Sequence, residues 1–86
     1  MDDKEKGRIA WFELGNALED FGLYVVMLSG VYHLKHSNGD EFSRGTLLFY
    51  QAMNYFGIES THGLLEASPE KRSIIILARK VDLFYS

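Results

Sequence analysis

Cysteine is absent from this chain of 86 residues, and proline occurs once, at Pro69. No disulfide, thiolate zinc site or cysteine nucleophile is therefore available. A domain of this size buries only about 60–68 % of the surface its unfolded chain exposes, so its stability has to come from packing or from a partner. Long apolar runs are missing as well. The longest, Leu23 to Leu28, falls far short of the roughly 20 residues that a membrane-spanning helix needs. Basic charge is also scarce: nine Lys and Arg stand against twelve Asp and Glu, a net charge of −3, which leaves no general basic footprint for nucleic acid. The glycines never gather into a phosphate-cradling loop that ends in Lys-Ser/Thr. The opening Met1-Asp2-Asp3-Lys4-Glu5-Lys6 is charged and is not followed by an apolar core and a small-residue cleavage site. No signal peptide is read, and a cytoplasmic location is expected.

Aromatic residues, by contrast, are plentiful, with one Trp, five Tyr and six Phe in this short chain. So small an interior has little room for them, which points to self-association or to a bound apolar ligand. No Ser/Gly/Pro-rich linker divides the chain, so residues 1–86 read as one domain with residues 1–5 frayed. At 100° per residue, Ala10, Trp11, Leu14, Ala17, Leu18 and Phe21 share one side, which predicts an amphipathic helix over about 4–21 with Gly22 as its stop. Ile9 and Phe12 fall on the polar side of that helix. Residues 23–36 admit two readings: a strand or hairpin, favoured by Val and Tyr, with Ser29-Gly30 as a tight turn between two strands or a bulge in one, or a buried helix interrupted by glycine.

Ser37-Asn38-Gly39-Asp40 reads as a turn, with Asp40 placed to cap a helix over about 41–56. Its apolar face is Phe42, Leu48, Phe49, Ala52, Met53 and Phe56, with Gly57 as the stop, while Leu47, Tyr50 and Tyr55 lie off that face. The last third reads as a C-terminal hairpin, strands about 63–67 and 72–81 joined by Ser68-Pro69-Glu70-Lys71. Ser73 to Ala78 is apolar on both faces of such a strand, which calls for cover on both sides. The expected fold is therefore α+β, two amphipathic helices packed on a small antiparallel sheet.

Candidate chemistry is sparse. His33, His36 and His62 are the weak candidates for metal ligands, with Asp40 and Glu41 nearby, but residues three apart on a strand point to opposite faces. Ser60-Thr61-His62 puts a hydroxyl beside an imidazole without the spatial arrangement that nucleophilic catalysis needs. The paired carboxylates sit where solvation or a helix dipole explains them. No catalytic residue and no cofactor are expected. The element order also admits a winged-helix DNA binder, with 41–56 as recognition helix, Lys71 and Arg72 at the hairpin tip as the wing, and Arg79 and Lys80 adding charge nearby. The outward face of that helix, Ser43, Leu47, Tyr50, Gln51 and Asn54, has only Arg44 beside it as a cation, which disfavours base and phosphate recognition.

Residues Leu47 to Gly57, followed by Leu64 to Ala67 and Ser73 to Leu77, resemble the helix, glycine and hairpin of 4-vinyl reductase-like domains over about residues 47–81. That resemblance implies dimer formation and a small apolar ligand, and it transfers no site residue. Taken with the off-face residues Ile9, Phe12, Leu47, Tyr50 and Tyr55, it makes a non-catalytic homodimeric interaction or ligand-binding module the leading expectation. A dimeric DNA-binding regulator comes second, and a metal-dependent enzyme third.

Overall fold

In the computed structural model, which describes residues 2–41 and 47–84, the chain runs α1 (Asp3–Glu19), β1 (Leu23–Leu28), β2 (Val31–His36), α2 (Leu48–Tyr55), α3 (Thr61–Glu66) and α4 (Pro69–Phe84). This is a small α+β fold. The first helix starts at Asp3, inside the segment expected to fray. There the Asp2 carboxylate accepts the Glu5 N–H at 2.7 Å, and Asp3 and Glu5 sit at the positive end of the helix dipole. Gly7, Ala10, Leu14 and Leu18 form its buried row.

Residues 23–36 form the hairpin. Ser29 and Gly30 have φ of 53° and 76°, the paired positive values of a type I′ turn, whose twist matches that of the two strands. The strands pair antiparallel, with Val25 opposite Leu34, Val26 opposite His33 and Met27 opposite Tyr32. Leu23, Tyr32 and Leu34 are buried against the helices, while Tyr24 and Leu28 stay exposed. Period-2 alternation thus assigns one face to the core and leaves an outer face that is apolar along β1, with Tyr24, Val26 and Leu28, and carries His33 and Lys35 on β2.

The expected helix over 41–56 is shorter, Leu48–Tyr55. Glu41 instead forms an isolated bridge with Lys35, and the Asp40 carbonyl accepts the His36 N–H at 2.8 Å, so Asp40 extends the edge of the hairpin and caps no helix. Phe42, Ser43 and Arg44 lie outside the described residues.

The C-terminal hairpin is overturned: 61–66 and 69–84 are helices. Ser60 accepts the Gly63 N–H at 3.2 Å, and Ser68 accepts the Lys71 N–H at 3.3 Å, each opening a helix. Pro69 takes the first helical position, where its missing N–H costs nothing and its fixed φ suits the turn. Ser-Pro-Glu is thus a helix start here, and the apolar run that follows is wrapped onto a helical face. Ile74, Ile75, Leu77, Ala78 and Val81 are buried, whereas Ile76 is turned out. The helix-hairpin order on which the resemblance over 47–81 rested is therefore replaced by three successive helices.

The fourth helix is the centre of the fold. It packs on α1 and on α2, while α1 covers β1 and α2 covers β2. A single cluster joins Leu14, Leu18, Leu34, Leu48, Ile74, Ile75 and Val81.

Candidate functional site

The polar residues with unusual surroundings lie where α2 meets its neighbours. Gln51 is the one buried polar residue in the described core, 1 % exposed. Its Oε1 accepts the Leu34 N–H at 3.0 Å, and its Nε2 donates to the Tyr32 carbonyl at 2.7 Å. A single side-chain amide thereby takes the place of a third strand along the outer edge of β2. Sequence phasing puts Gln51 on the outward face. Gln51 and Tyr55 face the hairpin and Leu48 and Ala52 are buried in the core, while Phe49 and Phe56 lie toward α4, where Arg79 and Lys71 sit over their rings.

Asp82 of α4 supplies the cap that the start of α2 lacks locally. Its Oδ1 accepts the Leu48 N–H at 3.0 Å and its Oδ2 the Phe49 N–H at 2.9 Å. Burial raises the pKa of this carboxyl above its ordinary value, outweighing the two N–H donors and the nearby Arg79 charge, which lower it. The folded state therefore binds the Asp82 proton more tightly than the unfolded chain does. The stability this linkage contributes is fully present below pH 3.8, the ordinary value, and is lost as pH rises through the raised folded value. Asp82→Ala is expected to cost about 1–2 kcal/mol at neutral pH through the lost cap. The stability gap to the parent protein should widen on acidification toward pH 4, a trend that denaturant melts at stepped pH would follow. A gap that narrows would contradict the assignment.

The three histidines are not brought together. His33 lies on the outer face of the hairpin with its Nδ1 2.8 Å from Glu41 Oε1. The ring of His36 meets the edge of Tyr55 at 5.7 Å, and His62 pairs with Glu66 one turn along exposed α3. Among the described residues no group of three or more His, Cys, Asp or Glu is placed to hold a metal ion.

The four candidate DNA-binding cations all sit on α4, and Lys71 and Arg72 form no hairpin tip. Arg72 donates to the Leu65 and Ala67 carbonyls at 3.3 and 2.8 Å, closing the end of α3. Lys71 lies over the Phe56 ring and Arg79 over the Phe49 ring. Lys80 borders a groove between α1 and α4.

Of the off-face residues, Ile9, Phe12, Leu47 and Tyr50 are exposed, the first two on α1 and the others at the start of α2, with α4 between the two helices. Tyr55 is half-buried, its ring packed against Phe56 and His36. Further exposed apolar side chains, Tyr24, Met27, Leu28, Leu65, Ile76 and Leu83, escaped the sequence reading. Helical phasing of α4 would have found Ile76 and Leu83, which stand seven residues apart on one outward stripe. Two shallow grooves run along α1 and α4. One, of about 210 Å³, lies among Ile9, Ala10, Leu77 and Phe84, and the other, of about 300 Å³, among Ala17, Phe21, Pro69 and Ile74. No helix among the described residues is long and apolar enough to cross a membrane. Comparison with family models, with curated proteins and with solved structures gave no match to the chain, so a functional reading rests on the geometry above.

Proposed function

We propose that this domain is a non-catalytic interaction module that associates with a second copy of itself. One observation carries the reading: ten large apolar side chains are exposed on the described surface, with Phe12 at 69 %, Leu65 at 68 %, Leu83 at 63 % and Tyr50 at 62 %. Scattered exposure of such residues is ordinary, but Tyr24, Met27 and Leu28 lie together on β1 and Ile76 and Leu83 on one stripe of α4, and neighbouring exposed apolar side chains of this kind suit a partner surface. Three polar side chains with unusual surroundings serve the fold. Gln51 pairs with strand backbone, Asp82 caps α2, and Arg72 closes α3. The two grooves along α1 and α4 lie at or below the lower end of the roughly 300–1,000 Å³ typical of ligand pockets, so neither is favoured as a small-ligand site.

Light scattering and thermal melting at a series of concentrations test the proposal. A dimer at micromolar concentration is expected, with a melting temperature that rises with concentration, because binding between folded copies stabilises them by mass action. A monomer throughout, melting at one temperature, would overturn it.

A further inference from the structure

The two edges of the hairpin are treated differently. Along β2, the Leu34 N–H and Tyr32 carbonyl are taken by Gln51, and the His36 N–H bonds the Asp40 carbonyl. Lys35 is bridged to Glu41 further along that strand. That edge is closed. Because the Leu34 N–H and Tyr32 carbonyl point away from β1, their cross-strand partners, Val25 and Met27, point their own backbone groups away from β2. Among the described residues no backbone hydrogen bond reaches that outer edge of β1.

Edge strands that stay unpaired in natural proteins are guarded by lysine, proline or bulges. This one has none of them: β1 reads Leu23-Tyr24-Val25-Val26-Met27-Leu28, in unbroken register with β2. No Asp, Glu, Lys or Arg occurs between Asp20 and Lys35. Tyr24, Met27 and Leu28 are exposed beside the open backbone groups.

We infer that β1 pairs with β1 of a second copy, antiparallel about a two-fold axis at Val26, to make a continuous four-stranded sheet. This rests on the self-association proposed above and names its surface. In that register Val25 faces the other copy's Met27, and their outward N–H and carbonyl groups exchange hydrogen bonds on both sides of the axis. Tyr24 meets Leu28 of the other copy, and Val26 meets Val26, on the outer face. With no charge on the strand, the two-fold places no like charges opposite each other, and the apolar outward residues of the two β1 strands, Tyr24, Val26 and Leu28, merge. A second copy thus satisfies both the backbone edge and the side chains beside it.

Val26 projects to the outer face, so charging it leaves the core untouched. Val26→Lys and Val26→Glu should each weaken self-association at least about tenfold, since each charge meets its own copy at the axis. An equimolar mixture should restore a one-to-one dimer, a rescue that a folding defect would not produce. In the unsubstituted protein, amide exchange at Val25 and Met27 should slow as concentration rises, an independent readout if either variant fails to fold. A dimer indifferent to both Val26 variants, with Val25 and Met27 exchanging equally fast at all concentrations, would overturn the edge while leaving self-association in place. Loss of that dimer on Phe12→Asp or Tyr50→Asp would then move the interface to the helix backs. A monomer at every concentration defeats self-association itself, and the edge pairing with it.

Discussion

Gln51→Leu is expected to destabilise the domain by about 2–6 kcal/mol, lowering its melting temperature by at least about 10 °C. Leucine nearly matches glutamine in size and would add apolar surface to a site that is 1 % exposed, so a purely hydrophobic account predicts little loss or a gain. The hydrogen-bond account predicts the opposite. Leu34 is fully buried and Tyr32 nearly so, and removing the Gln51 amide leaves the Leu34 N–H and the Tyr32 carbonyl without their partner, at about 1–3 kcal/mol for each orphaned group. Gln51→Glu separates the two contacts. A carboxylate still accepts from the Leu34 N–H but opposes the Tyr32 carbonyl, whereas the protonated acid donates to that carbonyl. Burial raises the folded pKa of such a group, so its penalty should fall as pH is lowered through that value, while the loss in Gln51→Leu stays the same. Chemical melts of the three proteins at neutral and acidic pH would measure this. An unchanged midpoint for Gln51→Leu would remove the amide from its role as the third strand.

The same residue shows what local patterns conveyed and where they ran out. The first helix, its glycine stop and the Ser29-Gly30 turn are local matters, set by spacing and by the backbone freedom of one or two residues. They were legible. The start of α2 was not, because its cap, Asp82, comes from 34 residues further along and leaves no trace beside Leu48. Gln51 falls outward in an amphipathic count because Phe49, Met53 and Phe56 make the apolar face, whereas α2 is held on two sides, by β2 and by α4. A helix wedged between two neighbours has no single polar back, and an amphipathic count cannot tell which apolar row faces which neighbour.

The candidate surface divided in a similar way. Ile9, Phe12, Leu47 and Tyr50 were identified from helical phase alone and are exposed. The open edge of β1 was not, because an unpaired backbone is a property of what the other strand bonds to. It emerges only from the register of the hairpin together with the place of Gln51. The side chains of β1 mark it as apolar without showing which edge is free.

The largest misreading, strand for helix over residues 72–81, has a decisive test in three adjacent residues. On a strand Ile74 and Ile76 would share one face and Ile75 the other, so alanine at 74 and 76 should have matching effects. On α4, Ile74 and Ile75 are 1 % and 0 % exposed and Ile76 is 46 % exposed. Ile75→Ala should therefore cost about 2–5 kcal/mol and Ile74→Ala a similar amount, since each leaves a cavity where α4 meets its neighbours. Ile76→Ala should fall within about 0.5 kcal/mol of the parent or slightly above it, because it removes an exposed side chain and replaces a β-branched residue with the best helix former. The pattern large, large, negligible belongs to a helix with α1 and α2 on either side. Matched losses at 74 and 76 would restore the strand, and with it the need for cover on both faces. Beta-branched residues do not by themselves choose between these outcomes. At this position the choice is made by Ser68 and Pro69, which start the helix, and by Leu14, Leu18 and Leu48, which belong to the core that its buried face completes.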